Sequence, residues 1–353
     1  MRKTAVACGI AGVILLAAAG LLAFWITPAF IARLPGDSNT VRTYDGQIRS
    51  LINPAPLLQG NFAAAVKLGV PETIRRQVKV LQTSGNTALV QDASTVTAGG
   101  RQIGGLTSQY AVDRTSLEAT VSHPSDWNVT NARGLTVNWP IGANQQNYLG
   151  WVRFTQTTTR LKYLRQEQHG GVNTYVYQAT VPPTPIRNPQ VLANLPKALP
   201  VSLLQGAARA GLAPAGLLAS LAKLIPPGTV QIPAGYLYSA TSTYWVAPAT
   251  GVVIDVSTSE TELGGIALGN KIIPVFPILV DSYKASPASV QAATTDANNG
   301  SNTITTFGIT LPIVFAAVGF VLLVIAVILW LRGHGRGHGV TQVPAPPPVN
   351  VGV

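Results

Sequence analysis

Two long apolar runs bracket a chain in which apolar and polar residues otherwise alternate in short stretches. The first, Ala5 to Ile26, has 22 residues without a charged side chain. At about 1.5 Å per residue it extends about 33 Å as a helix, enough to cross the bilayer hydrocarbon. The second, Leu311 to Leu331, has 21 residues and about the same reach. Both are predicted to be transmembrane helices. Trp25 and Phe30 at the end of the first, and Trp330 near the end of the second, place amphipathic or bulky rings where an interface is expected.

A cleaved signal peptide shares the positive start made by Arg2 and Lys3. The apolar run is nevertheless longer than a signal core, and Trp25, Ile26 and Phe30 are bulky where cleavage needs small residues. An uncleaved anchor is therefore expected. Ala5 to Cys8 imitates a lipoprotein box, but the apolar stretch follows the cysteine instead of preceding it.

Between the spans the period falls to two. Arg76 to Leu81, the Ser84-Gly85-Asn86 turn and Thr87 to Gln91 read as a hairpin, and so do Lys162 to Glu167, His169-Gly170-Gly171 and Asn173 to Val181. Tyr110 to Ala119 and Tyr244 to Val253 each read as strand, polar turn, strand, which makes a weak internal repeat. The fold class expected is mainly β with α: an antiparallel curved sheet or partial barrel carrying a helical insertion, flanked by an N-terminal and a C-terminal transmembrane helix.

The insertion covers about 187–227, within a Pro, Ala and Leu rich segment from Pro182 to Pro233. Leu217, Leu218, Leu221, Leu224 and Ile225 form the stripe of a short amphipathic helix, and Val201 to Leu212 suits a preceding one. No acidic residue occurs between Gln168 and Ile254, while Arg187, Lys197, Arg209 and Lys223 are cationic. Such a face either covers a cavity, lies on lipid headgroups or packs on its own sheet. Ala285 to Thr306 reads as a polar helix or a flexible stalk, and the tail from Val340 as extended or disordered.

Charge gives the orientation. Of 24 Lys and Arg against 13 Asp and Glu, the short tails hold Arg2, Lys3, Arg332 and Arg336. By the positive-inside rule both termini are cytoplasmic and the chain is a two-pass plasma-membrane protein. Arg33, Arg42 and Arg49 argue the other way, but long translocated domains largely escape that count. The expected organisation is a cytoplasmic tip and first span at 1–32, an extracytoplasmic β-rich domain at 33–306, a second span at 307–332 and a cytoplasmic Gly, His and Pro rich tail at 333–353.

Chemistry is sparse. Cys8 is the single cysteine, which excludes an intrachain disulfide and a thiolate zinc site. Ser220 to Lys223 fits S-x-x-K without its companion motifs, and is better read as the polar face of the helix. Gly264 to Lys271 resembles a phosphate loop, yet Asn270 separates Gly269 from the lysine and Ile272 begins an apolar stretch instead of a helix, so a turn is expected. His123 and His169 have neither helical spacing nor an evident carboxylate, and His334 and His338 suit a solvated stop-transfer flank. No catalytic residue, metal or cofactor is expected. The scattered basic residues do not suit nucleic acid and fit anionic envelope lipid or polymer better.

Several stretches carry a family resemblance: Leu34-Pro35 after the first span, Thr180 to Ile186 (TVPPTPI), Tyr244 to Val253 (YWVAPATGVV) and the Ala and Asp containing approach to the second span. Together they resemble the actinobacterial PorA-like family of two-span envelope proteins with a large outer domain and no established molecular role. The resemblance covers nearly the whole chain. Ala247 stands where that family commonly has Asp, and the insertion after Ile186 is longer than the family pattern. That pattern supplies no catalytic residue to transfer. Its porin label is not taken as mechanism, because outer-membrane barrels close amphipathic strands into a ring and do not ordinarily carry two long apolar helices. At the level of fold alone, the hairpins also resemble periplasmic lipoprotein-carrier domains.

The expected function is thus non-catalytic binding of a hydrophobic or lipid ligand outside the cytoplasm, with Leu217, Leu218, Leu221 and Leu224 as candidate lipid contacts. The alternatives are a scaffold or receptor module for other envelope proteins, and a pore-forming oligomer. Membrane lipids are the expected partners.

Overall fold

The computed structural model describes residues 2–53, 56, 57, 59, 61–209, 211, 216, 226 and 228–334. Leu217, Leu218, Ser220, Leu221, Lys223, Leu224 and Ile225 lie outside the described residues, as does the tail from residue 335. The chain divides into two units, Met1–Ile31 with Asn302–Val353, and Ala32–Ser301.

In the first unit, α1 (Arg2–Leu21) continues as a π-helical stretch, Leu22–Ile31, which contains Pro28. Proline lacks the amide that the helical ladder uses, so a widened turn is where it is tolerated. Both this helix and the one spanning 287–332 are long and apolar enough to cross a membrane. Glycine lets the two approach. A Cβ at Gly12 would lie 2.8 Å from the carbonyl oxygen of Gly319, and one at Gly319 would lie 2.9 Å from that of Gly12. Close backbone contact at small residues is how helices pack where solvent provides no hydrophobic drive.

The second unit is a curled antiparallel sheet, a half-barrel with four bounded helices among the described residues. Its strands are β1 (Asn39–Ile52), β2 (Val66–Ser84), β3 (Thr87–Ala98), β4 (Arg101–Asp113), β5 (Tyr148–Val152), β6 (Thr157–His169), β7 (Val172–Pro185), β8 (Ala198–Pro200), β9 (Gln231–Val246), β10 (Val253–Leu268) and β11 (Lys271–Ala285). They run in the order β4-β3-β2-β1-β11-β10-β9-β7-β6-β5, with β8 paired separately on β9. Two features turn these strands tightly. Gly170 and Gly171 both take positive φ, +59° and +78°, between β6 and β7, the combination a two-residue hairpin of matching twist demands. At the far edges, single bridges from Val112 to Ala119, Glu118 to Leu135 and Leu135 to Gly150 link β4 to β5 through the intervening loop. The expected second arm of the Tyr110 hairpin is therefore reduced to bridge residues. Likewise Gly264 to Leu268 belongs to β10, and the turn is confined to Gly269 and Asn270.

Of the helices, α2 (Phe62–Ala65) and α3 (Pro189–Leu192) are single turns, and α4 (Val201–Arg209) and α5 (Pro287–Thr305) are longer. Asn188 caps α3 by accepting from the Gln190 amide at 2.9 Å, and Pro189 occupies its first position. Gln190 then uses its side-chain amide twice on edge strand β4, accepting from Thr107 N at 3.2 Å and donating to Thr107 O at 2.8 Å. The open edge is thereby paired at Thr107. Of the segment Ala285 to Thr306, Pro287–Thr305 is helical, which settles the choice between helix and stalk. Ala293 and Ala297 of α5 are buried with Ala247 and Ile254, and Arg42 pairs with Asp296. The second membrane-length helix continues from it as α6 (Leu311–His334) after a π-helical stretch at Thr306–Thr310.

Candidate functional site

Register puts Tyr148, Leu161, Ala179, Ser242, Thr258, Tyr283, Gly46 and Glu72 on one buried face across eight strands. This concave face has three zones.

At one end the filling is aromatic. Tyr110 and Tyr177 are fully buried, and Trp139 lies 5.4 Å from the Tyr177 ring and 5.0 Å from that of Tyr244. The loop before β5 is tied to this zone: Tyr177 donates to Asn144 O at 2.6 Å, and Tyr148 accepts from Asn144 N at 2.8 Å. A polar hollow of about 640 Å³ opens beside it, lined by Asn86, Asp113, Ser116, Glu118 and Asn144 among others. Asp113 is held there by the amides of Thr115 and Ser116, at 2.9 and 2.8 Å, and by Asn86 at 2.7 Å. Burial works to raise its pKa, and these donors outweigh it, so the carboxyl titrates below its ordinary value.

The middle zone is ionisable and its two sides differ. On β3, Asp92 is completely buried between Arg76 and Arg153, whose nitrogens lie 2.8 and 3.3 Å from its oxygens. Arg153 also donates to Ser94 Oγ at 3.1 Å. Burial opposes ionisation of Asp92, but the two guanidinium groups prevail and hold its pKa below the usual range. Across the sheet the balance reverses. Glu72 on β2, Glu260 and Glu262 on β10, and Asp281 on β11 gather with fewer cations. Burial, followed by the charge of Glu260, pushes Glu72 and Glu262 each up to about 7. Burial, followed by Glu260, Glu72 and Glu262, pushes Asp281 up to about 9. Glu260 is raised by burial despite accepting from the Tyr238 hydroxyl at 2.8 Å.

The other end is apolar. Ile52, Ile232, Ile266 and Phe276, from the ends of β1, β9, β10 and β11, meet Leu203 and Leu204 of α4 in one cluster. Gly264 makes room here, since a Cβ would lie 3.1 Å from atoms of both Phe276 and Ile278. α4 is the expected first helix of the insertion, and its apolar side faces the sheet.

The two outer histidines separate. His123, half-buried, stacks in parallel on the buried Trp127 with ring centroids 6.2 Å apart. His169 has a carboxylate after all: its Nε2 lies 2.8 Å from Asp255 Oδ2, and its ring stacks on Trp245 at 4.7 Å. Asp255 lies 86 positions away, so no local spacing signals the pair. The middle-zone carboxylates were equally hidden. The one local hint is β10 itself, where Ser257 to Glu262 is polar at every position and so lacks the alternation of a half-buried strand.

A half-barrel accompanied by two membrane-length helices defines a class of membrane protein. The chain matches the porin PorA family over residues 4–328, and it belongs to that family. Its location is accordingly the cell envelope. No curated protein matches it. Among solved structures, it is similar to a putative thioesterase from Novosphingobium aromaticivorans DSM 12444 at 12% identity, covering 76% of this chain and 85% of that one, with a TM-score of 0.13. A MaoC-like dehydratase shows 9% identity over 77% of this chain and 82% of its own, also with a TM-score of 0.13. An acyl-CoA thioesterase II from Mycobacterium marinum shows 11% identity over 70% and 79%, with a TM-score of 0.12. Likeness at this level carries no argument about activity.

Proposed function

We propose that this protein is a non-catalytic, two-pass plasma-membrane protein whose extracytoplasmic half-barrel binds the acyl chain of an envelope lipid at its apolar end. Both termini are cytoplasmic in this reading, because the short flanks carry Arg2, Lys3, Arg332 and Arg336. The observation that carries it is the one-sided cover. α4 buries Leu203 and Leu204 against Ile52, Ile232, Ile266 and Phe276 of the strand ends, Ala207 is buried as well, and Gln205 stays exposed. Leu217, Leu218, Leu221 and Leu224, which follow α4 in sequence and lie outside the described residues, are the proposed lipid contacts. Each buried methylene contributes roughly 0.8 kcal/mol, so even part of a long chain would be held firmly.

Native mass spectrometry of the full chain extracted in a neutral detergent tests this. The expected result is a folded species carrying stoichiometric lipid, which exchanges for added hexadecanoate. A folded species that arrives without lipid and takes up no hexadecanoate contradicts the reading.

A further inference from the structure

The acidic side of the middle zone has a geometry that lipid binding does not explain. Asp281 and Glu260 are register partners, directly opposite on β11 and β10. Opposed like charges destabilise a sheet. Glu72 joins them from two strands away, because β1 has Gly46 at the crossing. A Cβ there would lie 2.7 Å from Glu72 Oε1 and 2.6 Å from the Cβ of Tyr283. Glu72 is 4% exposed and Asp281 3%, and neither Glu72 oxygen nor Asp281 Oδ1 has a hydrogen-bond partner. A buried ionised carboxylate without partners is among the costliest groups a fold can hold. Among the described residues, no cluster of His, Cys, Asp or Glu is spaced to hold a metal ion.

We propose that Glu72, Glu260 and Asp281 form a proton-operated clasp, which holds the arc β2-β1-β11-β10 closed while it carries protons and loosens when it loses them. The other ionisable groups around it are few. Arg76 and Asp92 face it from β2 and β3, but they are engaged with each other. Arg153, after β5, is shared with Asp92, and its charge works against the burial that raises Glu260. Tyr44, Tyr238, Tyr244 and Tyr283 supply hydroxyls, not charge, from β1, β9 and β11, and Glu262 adds a further carboxyl on β10. Arg49 of β1 lines the same hollow as Glu260 and Asp281, but its guanidinium donates to Ser282 Oγ at 3.5 Å, and no salt bridge joins it to any of the three carboxylates among the described residues.

The direction of the pH effect follows. These acids bind protons more tightly folded than unfolded, so their contribution to stability is complete below the ordinary carboxylate range near 4. It is lost as pH rises through about 7 for Glu72 and about 9 for Asp281. The strands that carry the clasp are also those whose ends form the apolar zone, although the inference does not depend on a lipid binding there.

Thermal unfolding of the full chain in neutral detergent, followed between about pH 5.5 and about pH 8.5, is the test. The midpoint should fall by several degrees across that range in the native chain. It should change by less than half as much in Asp281→Asn and Glu72→Gln, which mimic the protonated acids and are expected to fold. Infrared spectroscopy gives a second reading on the native chain alone: a protonated carboxyl absorption should persist at about pH 7 and lose intensity by about pH 9. A native midpoint that is flat or rises with pH, an unaltered slope in both variants, or a folded chain without that absorption at neutral pH overturns the clasp.

Discussion

Arg76 and Asp92 meet end-on inside the half-barrel, with Arg76 Nε 2.8 Å from one carboxylate oxygen and Nη2 3.0 Å from the other. Two parallel charge-assisted bonds fix both side chains in the fork geometry that arginine favours. Asp92→Ala would leave the half-buried Arg76 and Arg153 without their shared, fully buried anion. Removing one partner of such a pair costs about 3–5 kcal/mol, and denaturant unfolding should register a loss of that order. The pH dependence is opposite to that of the clasp. The Asp92 pKa is depressed in the folded chain, so its contribution is complete above the ordinary carboxylate range and is lost as pH falls through the folded value.

Gly251 precedes β10 with φ at +70°, and a Cβ there would lie 2.1 Å from the carbonyl oxygen of Trp139. Gly251→Ala meets both obstacles. The left-handed backbone alone costs on the order of 1–3 kcal/mol for a residue with a side chain, and the collision adds to it. Because Trp139 packs on Tyr177 and Tyr244, a shift in tryptophan fluorescence together with a lowered unfolding midpoint should report the change.

The helix pair depends on the absence of two side chains. Gly12→Ile places a branched side chain where the carbonyl oxygen of Gly319 lies 2.8 Å from a bare Cβ position. The helices must then separate. With Cys8 replaced by Ala, cysteines at Gly9 and Ala326, whose Cβ positions lie 3.7 Å apart, should crosslink readily. Adding Gly12→Ile should abolish that crosslink while leaving the half-barrel's unfolding midpoint unchanged.

How much of this was visible in the residues differs from zone to zone. Membrane-length helices announce themselves through uninterrupted hydropathy, and the turns at Gly85 and at Gly170 to Gly171 through residues that tolerate positive φ. The helix at Val201–Arg209 was expected over Val201 to Leu212, as the first helix of the Pro, Ala and Leu rich insertion. The acidic cluster was not, because Glu72 and Glu260 become neighbours only through a register that closes β11 on β1. Apart from the unbroken polar run at Ser257 to Glu262, their residue types give no local sign that they face inward. His169 and Asp255 were missed for the same reason, although each alone sits beside a recognisable turn. The Leu217 to Leu224 stripe remains a reading from sequence.

The account depends most on a folded domain held outside the cytoplasm by the two helices. In a Cys8→Ala background, Arg75→Cys places one thiol on the outward face of β2, where Arg75 is exposed. A membrane-impermeant maleimide applied to intact spheroplasts should label this thiol fully, with no gain when the cells are opened. Labelling that appears only after permeabilisation would put the half-barrel in the cytoplasm and contradict the account.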